Sequence, residues 1–554
     1  MLHPVVLVLG VVVLGALVVS LPRLLSRGRS LLRISRALHV DRSTRHTDLN
    51  LIAAFHNRVA AKATEDRLND RTWNDLDLDD VFHSIDHAAS EPGRQYLYHL
   101  LRSPQSSPTP LVRLDGAVRG FANDDVVANH ARAALAQLGD QRAAYLEDLI
   151  FGDLPRRPRF WWLFPLLTGS SIICLALITI WPRAGVVWLG LCVVNVGAQL
   201  FYKPRVKRFI PALHELPAFL RAAGALGELS IAACPEETRI LREGAKELSA
   251  LRVQSWWLMF EPDQADGLAA SIYEYINLLF LLDVNAFVFA VETLRDAANV
   301  ARRMFESLGT LDAAQSVAKW RHSLPHWVTP EFTPARKALH VEGLAHPLLT
   351  DAVPNSLDVA GKSILITGSN MSGKTTFVRA LGVNAVLAQT LYTVYAREWR
   401  APMLRVRTSI GRTDSLIEGK SYYLAEVESV LALVRAKEDG HQHLFLLDEI
   451  YRGTNTTERV AAAYAVLAWL NRGLDVVIVA THDLELRDLL GDAYDTHHFR
   501  EQVADENLTF DYRIQSGPSS TRNAIALLKV MQYPDELVAD ALAAIDWQRR
   551  DRKL

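Results

Sequence analysis

Residues 364–376 read ILITGSNMSGKTT, an apolar run that leads directly into a loop containing two glycines. The spacing of Gly368, Gly373 and Lys374 fits the pattern G-x-x-x-x-G-K-[ST], in which the glycines let backbone N–H groups point at phosphate oxygens. The amphipathic run 377–387 follows and predicts a helix, whose N-terminus attracts phosphate. A chance glycine loop would not be flanked by a strand and a helix in this way. The stretch therefore predicts a nucleotide site that binds ATP or GTP.

The side chains of this loop have separate predicted roles. The charge of Lys374 would lie near the β- and γ-phosphates, and the hydroxyl of Thr375 would bind Mg²⁺. Most of the other contacts would come from the backbone. The predicted nucleotide-binding residues of the loop are Gly368, Ser369, Asn370, Met371, Ser372, Gly373, Lys374, Thr375 and Thr376.

Two further apolar segments end in polar side chains. Residues 443–449 read HLFLLDE, a predicted strand that ends in Asp448 and Glu449, and a third strand, 476–480, is followed by Thr481 and His482. Ligands of open α/β sheets bind at the carboxyl ends of the strands. We expect Asp448 to hold Mg²⁺, Glu449 to activate the attacking water and His482 to sense the γ-phosphate. The alternatives are a helix cap for the two carboxylates and a structural role for the histidine.

These segments together resemble the MutS family. TGSNMSGKTT at 367–376 resembles its phosphate loop TGPNMGGKST, and DEIYRGTNT at 448–456 resembles DEIGRGTST. GKS at 419–421, followed by Glu426 and Glu428, is similar to the family's signature helix, and ATH at 480–482 matches its counterpart. The resemblance implies an Mg²⁺-dependent ATP hydrolase that works as a homodimer. It also implies that Ser421 binds the γ-phosphate held by the partner's Lys374.

The resemblance is weaker on the N-terminal side. Residues 82–102 resemble the start of the family's core domain, and 311–313 resemble the end of its lever helix. Tyr451 replaces the glycine that follows Asp-Glu-Ile in the family. The mismatch-reading domain has no room before Asp48, so we expect a member without it, with the DNA clamp of the lever reduced or lost.

Three uncharged apolar runs, 5–21, 160–181 and 186–202, are long enough to predict membrane-spanning helices. A cleaved signal peptide is the alternative for the first, which lacks a basic segment before it, and a buried soluble hairpin is the alternative for the other two. Only Arg183 lies in the turn between the second and third runs. By the positive-inside rule, the ATPase is predicted to be cytoplasmic in a multi-pass protein of the inner membrane. The basic residues that flank the runs are Arg23, Arg27, Arg29, Arg33, Arg36, Arg156, Arg157, Arg159, Lys203, Arg205, Lys207 and Arg208.

The composition narrows the choice of partners. The 554 residues carry a net charge of −2, which gives no overall nucleic-acid signature. The basic clusters beside the apolar runs are explained by anionic lipid headgroups. The three cysteines show no disulfide or metal-binding spacing, so no metal beyond Mg²⁺ is expected.

The predicted fold is multi-domain, with an α-helical transmembrane anchor, a helical core and lever domain, and a C-terminal α/β phosphate-loop ATPase domain of the ABC/MutS type. The predicted boundaries are an anchor at 1–24, a core segment at 25–158, a transmembrane hairpin at 159–203, a lever at 204–340 and the ATPase at 341–554. Two functions remain open. One is a membrane-anchored, dimeric MutS-type ATPase coupled to mismatched or branched DNA; the alternative is an ATP-driven membrane scaffold without nucleic acid. A transporter ATPase is less favoured, because the LSGGQ-type signature is absent.

Overall fold

The computed structural model describes residues 48–61, 67–254, 267–334, 336–369, 372–410, 422–451, 455–504, 507–518 and 533–551. The chain divides into two compact units. Unit 1 comprises residues 1–65, 86–99 and 116–319, and unit 2 comprises residues 66–85, 100–115 and 320–554. The described part of unit 1 is helical, whereas all the described strands lie in unit 2. This mixture of a helical part and an α/β sheet part agrees with the predicted fold class at that level. The predicted transmembrane anchor at 5–21 lies outside the described residues, and the predicted domain boundaries stay a prediction.

The helices before the first strand follow one another along the chain. Their bounds are α1 Leu49–Ala60, α2 Asp70–Asp75, α3 Leu78–Ile85, α4 Glu91–Arg102, α5 Pro108–Asn123, α6 Asp125–Leu135, α7 Leu146–Phe151, α8 Leu163–Leu177, α9 Ala184–Val206, α10 Ile210–Gly227, α11 Pro235–Glu247, α12 Ser249–Gln254, α13 Gly267–Phe280, α14 Leu282–Asp296 and α15 Ala298–Ser323.

A buried carboxylate joins the start of α4 to the long helix α15. Asp312 accepts hydrogen bonds from the backbone N–H groups of Ala89 and Ser90, both at 2.8 Å, and from the Ser90 hydroxyl at 2.5 Å. A side chain at Gly93 would collide with Asp312, since an added Cβ would lie 2.0 Å from its Oδ2. Within unit 1, residues 89–93 of the segment that resembles the family's core thus meet Asp312 of the segment that resembles its lever. The donors at the helix start stabilise the negative charge of Asp312.

The second and third apolar runs form the antiparallel helices α8 and α9. Helix α8 ends at Leu177, a few residues before Pro182, and its 15 residues are fewer than the ~20 that usually cross a bilayer. Within the described residues, one stretch of helix, Ala184–Gly227, is long and apolar enough to cross a membrane. The bent pair Glu274–Phe280 and Leu282–Asp296 also passes this test when taken together. Length and composition alone are weak evidence, because core helices of soluble proteins meet the same criterion.

The strands and the remaining helices belong to unit 2. The strands are β1 Glu331–Phe332, β2 Ala338–Leu344, β3 Asn355–Ala360, β4 Ser363–Thr367, β5 Glu398–Ala401, β6 Arg405–Ser409, β7 His443–Asp448, β8 Val476–Ala480, β9 Tyr494–Ala504 and β10 Asn507–Ser516. The helices are α16 Lys374–Thr390, α17 Tyr422–Ala436, α18 Thr456–Leu470, α19 Glu485–Leu490 and α20 Asp535–Asp551.

Two sheets are formed, with the strand orders β1-β5-β2-β3 and β10-β9-β4-β8-β7-β6. In the larger sheet, β9, β4, β8, β7 and β6 are parallel, and β10 pairs antiparallel with β9. The strands β4, β7 and β8 are fully buried, which explains their unbroken apolar sequences. Because these three strands are neighbours and parallel, the residues that follow each of them meet at one edge of the sheet.

Candidate nucleotide-binding site

The phosphate-type loop follows β4 and leads into α16. Gly368 has φ +142° and Gly373 has φ +101°, values that side chains disfavour. An added Cβ at Gly368 would lie 3.0 Å from the Ser372 Oγ, and one at Gly373 would lie 3.2 Å from a ring carbon of Tyr512. Both the backbone conformation and the space therefore require glycine at these two positions. The buried Ser372 hydroxyl donates to the Ser369 carbonyl at 2.8 Å and closes the loop on itself.

The side chains at the start of α16 point into this loop and toward β7. The Lys374 Nζ donates to the carbonyls of Gly368 at 2.7 Å and Ser369 at 2.5 Å, and the residue is only 3% exposed. The Thr375 hydroxyl donates to the Asp448 Oδ2 at 2.6 Å. A cationic nitrogen and a hydroxyl–carboxylate pair are thereby held beside the backbone of the loop.

Asp448 and Thr375 fit a magnesium ion by the chemistry of their donor atoms. Mg²⁺ prefers oxygen ligands and is usually held by one or two carboxylates together with phosphates of the substrate. No group of three or more His, Cys, Asp or Glu side chains that could bind a metal occurs among the described residues. A hydroxyl and a carboxylate that share a hydrogen bond are oxygen donors of the type that a hard cation prefers.

Glu449 and His482 form a pair at the ends of β7 and β8. The backbone N–H of Glu449 donates to the Ala480 carbonyl at 2.8 Å, and its carboxylate lies 3.1 Å from the His482 Nδ1. This contact with Glu449 raises the pKa of His482 above its usual value, whereas partial burial lowers it. The Glu449 side chain is 6% exposed and that of His482 is 48% exposed. The sheet thus brings a buried carboxylate and a reachable imidazole together.

The backbone after β7 is held in an uncommon conformation by helix α17. Glu449 and Tyr451 have φ values of +54° and +63°, in the left-handed region. The Tyr451 N–H donates to the Glu426 Oε1 at 2.5 Å, and the buried Tyr451 belongs to the same core cluster as Val430 of α17. The family's glycine at the position of Tyr451 suits this positive φ, and here burial and the bond to Glu426 maintain it with a tyrosine.

A contribution from β10 was not foreseen in the sequence. Tyr512 has φ +53°, is 45% exposed and lies against Gly373. Asn355 holds the surrounding backbone, since its Nδ2 donates to the Tyr512 carbonyl at 2.9 Å and its Oδ1 accepts from the Ile514 N–H at 2.7 Å. No sequence signal separates Tyr512 from other tyrosines, because only the pairing of β9 beside β4 brings β10 to the loop.

Of the remaining predicted nucleotide-binding residues, two are exposed and three lie outside the described residues. Thr376 is exposed on the first turn of α16, and Ser369 is exposed in the loop. Asn370, Met371 and Ser421 lie outside the described residues. Asp483, which follows His482, accepts two hydrogen bonds from Arg459 at 3.0 and 2.7 Å and anchors this end of β8 to α18.

Comparisons with known proteins agree with this arrangement. A family model described as MutS domain V matches residues 364–547. The chain is 30% identical over 280 residues to the DNA mismatch repair protein MutS of Thermus thermophilus, and 33% identical over 278 residues to that of Thermus aquaticus. Each of these matches covers 50% of this chain and 34% of the relative. The MutS of Listeria monocytogenes is 29% identical over 285 residues, which cover 49% of this chain and 33% of that protein.

The chain therefore spans about a third of the length of the curated relatives that it matches. The segment matched by the family model includes the phosphate-type loop, Asp448, Glu449 and His482. Residues 364–547 of this chain therefore belong with domain V of the MutS family.

Proposed function

We propose that this chain is an Mg²⁺-dependent ATP hydrolase of the MutS type that works as a homodimer. The observation that carries the proposal is the meeting of Lys374, Thr375, Asp448, Glu449 and His482 at the carboxyl ends of three neighbouring parallel strands. Phosphoryl transfer needs positioning and charge neutralisation rather than covalent chemistry, and these residue types supply both.

The proposed reaction assigns a role to each side chain. Lys374 leaves the loop carbonyls that it now contacts and neutralises charge on the β- and γ-phosphates. Thr375 and Asp448 would hold Mg²⁺, which neutralises further phosphate charge when bound. Glu449 orients a water molecule and takes its proton as the water oxygen bonds to the γ-phosphorus and the bond to ADP breaks. His482 orients Glu449 and senses the γ-phosphate with its exposed ring.

Two substitutions test this assignment by separating binding from turnover. Lys374→Ala should abolish tight nucleotide binding, because it removes the only charge that the loop itself supplies in its described part. Glu449→Gln should keep ATP binding and lose at least about 100-fold in turnover, since the group that accepts the proton is gone. Fluorescent-nucleotide binding and phosphate release measure the two steps. Hydrolysis by Glu449→Gln at the parent rate would show that this carboxylate is not the base.

The partner of the ATPase is a separate question. The relatives named DNA mismatch repair proteins make mismatched or branched DNA a candidate, whereas the net charge of −2 gives no independent support for it. An ATP-driven membrane scaffold without nucleic acid is the second candidate. It is favoured by the exposed apolar surface of α8 and α9, where Ile180, Val186 and Val193 are 81%, 75% and 73% exposed.

Binding of duplex and junction DNA at increasing salt distinguishes the two candidates. Release of counterions from phosphate contacts makes the logarithm of the affinity fall linearly with the logarithm of the salt concentration. A coupled DNA function predicts such a slope and a change in affinity when ATP is added. If the purified full chain binds neither DNA at low salt, the scaffold is the better proposal.

The proposal includes a membrane location, with residues 5–21 and the α8–α9 hairpin in the inner membrane and the ATPase in the cytoplasm. It is supported by the exposed apolar hairpin and by the basic residues on either side of it. A reporter that is active only outside the cytoplasm should work when fused after Arg183 and fail after Lys207 or Leu554. Activity at Leu554 would contradict this topology.

A further inference from the structure

The helical path beside the hairpin is broken between α13 and α14. Leu281 has φ +54°, and the two helices meet at an angle of 65° around it. The break is closed by a reciprocal pair, in which the Asn277 Nδ2 donates to the Asp283 Oδ2 at 2.6 Å and the Asp283 N–H donates to the Asn277 Oδ1 at 3.0 Å. Asn277 is fully buried and Asp283 is 3% exposed. Two polar side chains are thus used to shape a sharp bend within an apolar segment.

A broken helix leaves carbonyl groups without their helical partners, and here two consecutive ones receive side-chain donors from the hairpin. The Leu279 carbonyl accepts from the Asn195 Nδ2 of α9 at 2.6 Å, and the Phe280 carbonyl accepts from the Thr168 hydroxyl of α8 at 2.7 Å. The next carbonyl, that of Leu281, keeps its helical partner, the Asn285 N–H at 2.9 Å, and also accepts from the Asn285 Nδ2 at 3.0 Å. On a water-exposed surface solvent would satisfy these groups. In lipid, irregular backbone is tolerated only where protein groups satisfy it.

The contacts of α13 with α9 fix how far the bend reaches along the hairpin. Glu274 pairs with Lys203 at 3.1 Å, at the basic end of α9, and five residues later Leu279 contacts Asn195. From Lys203 to Asn195 the helix rises by about 12 Å. The bend therefore lies about 12 Å from the basic end of α9.

The contacts of α14 with α8 give a second, independent measure. The ring of Phe289 lies 6.0 Å from that of Trp161, which precedes α8, whereas the Asn285 Nδ2 lies 2.8 Å from the Thr168 hydroxyl. From Leu163, the first residue of α8, to Thr168 the helix rises by about 8 Å. The chain thus approaches the bend and leaves it at the same end of the hairpin.

We infer that residues 274–289 form a re-entrant membrane element that enters the cytoplasmic leaflet beside the hairpin, turns at Leu281 and returns. Its partner is the lipid bilayer, which contacts the outward side chains of Tyr275 and Ile276, 69% and 42% exposed. The inference rests on the proposed membrane location of α8 and α9. The apolar run 276–289 has 14 residues, too few to span a bilayer, so the segment dips into the membrane without crossing it.

Site-specific nitroxide labels in the full chain test this inference. The protein is reconstituted in nanodiscs of phosphatidylethanolamine and phosphatidylglycerol, and relaxation by oxygen is compared with relaxation by a water-soluble nickel chelate. The label is attached through Tyr275→p-acetylphenylalanine, a replacement of similar shape that leaves the native cysteines in place. We expect the label at position 275 to be relaxed by oxygen and protected from nickel.

Two control positions make the outcomes separable. Val193, 73% exposed on α9, reports on the proposed anchor, and the exposed Glu243 of α11 reports on water. Suppose that the label at 193 is protected from nickel, whereas the label at 275 is as accessible to nickel as the label at 243. The re-entrant element is then wrong, and the proposed anchor stands. If the label at 193 is itself accessible to nickel, the anchor fails and the inference fails with it. A label at 275 that neither reagent reaches would indicate a protein partner and would also overturn the inference.

A matched pair of substitutions tests the carbonyl donors. Asn195→Ala removes the donor to the Leu279 carbonyl, and Val194→Ala shortens a neighbouring side chain that is 51% exposed. In nanodiscs, Asn195→Ala should lower the midpoint of thermal unfolding clearly more than Val194→Ala does. Equal midpoints would mean that water satisfies this carbonyl, which a site in lipid does not allow.

Discussion

The turn after β7 shows how one hydrogen bond can support Glu449, the side chain proposed as the catalytic base. Glu449 and Tyr451 both have positive φ, and each such residue costs about 1–3 kcal/mol unless its surroundings compensate. Here the burial of Tyr451 and the hydrogen bond from its N–H to the Glu426 Oε1 provide this compensation. Glu426 thereby acts on Glu449 through the backbone, as a positioning residue that does not itself contact the reacting atoms.

We predict that Glu426→Ala lowers the turnover number for ATP by roughly 10- to 100-fold, because a small displacement of a positioned group has effects of this size. The KM for ATP should change little, since the loop residues and Lys374 are untouched. Glu426→Gln keeps an acceptor oxygen and should retain most of the turnover. Steady-state kinetics of the full chain, with phosphate release as readout, measure both parameters.

The matched control for this prediction is Glu438→Ala, which removes an exposed carboxylate just after the end of the same helix. It should leave turnover within about twofold of the parent, as surface substitutions usually do little. Equal losses in Glu426→Gln and Glu426→Ala would show that the negative charge matters rather than the acceptor. A raised KM with unchanged turnover would place Glu426 in nucleotide binding instead.

At the scale of secondary-structure elements, the strands that carry the site were predictable from sequence. The runs 364–366, 444–447 and 476–480 are uniformly apolar because both faces of a central parallel strand are buried, and each is followed by polar residues at the ligand edge. The structure forms β4, β7 and β8 at these positions. The roles of the individual site residues stay predictions.

Other features could not be predicted from sequence patterns, because they depend on contacts between residues far apart in the chain. The approach of Tyr512 to Gly373 follows from β9 pairing beside β4, which no local signal in β10 encodes. The break at Leu281 has neither glycine nor proline, the usual signals of a helix end. It is maintained by donors from α8 and α9, more than 80 residues earlier in the chain. Asp312 similarly meets the start of α4 across 222 residues.

At the scale of the whole molecule, the two units differ in what the sequence could reveal. Unit 2 contains motifs whose spacing is fixed by nucleotide chemistry, so its fold class and family could be recognised. The described part of unit 1 is helical and carries few motifs, and only the apolar runs, residues 86–99 and residues 311–313 of this unit gave expectations. The match to MutS proteins covers about a third of their length, so the dimeric assembly of this chain has to be tested directly.

We predict that the ATP site is shared between two subunits. The resemblance to MutS implies that Ser421 of one subunit reaches the γ-phosphate held by the other subunit's Lys374, where a hydroxyl at a helix N-terminus would stabilise negative charge. Each homodimer of Lys374→Ala or of Ser421→Ala has a lesion in both of its sites. In a mixed dimer both lesions fall on one site and the other site is intact.

Mixing equal amounts of the two variants should therefore restore activity to about a quarter of the parent's sites, since half of the dimers are mixed and each has one intact site in a two-fold symmetric arrangement. Phosphate release by the mixture, after subunit exchange confirmed by differently tagged chains, measures the recovery. If Ser421 instead only caps helix α17 within its own subunit, each site carries a lesion in every kind of dimer and the mixture is no more active than its components. Recovery thus distinguishes a shared site from a local cap, and a mixture of the parent with Lys374→Ala controls for exchange itself.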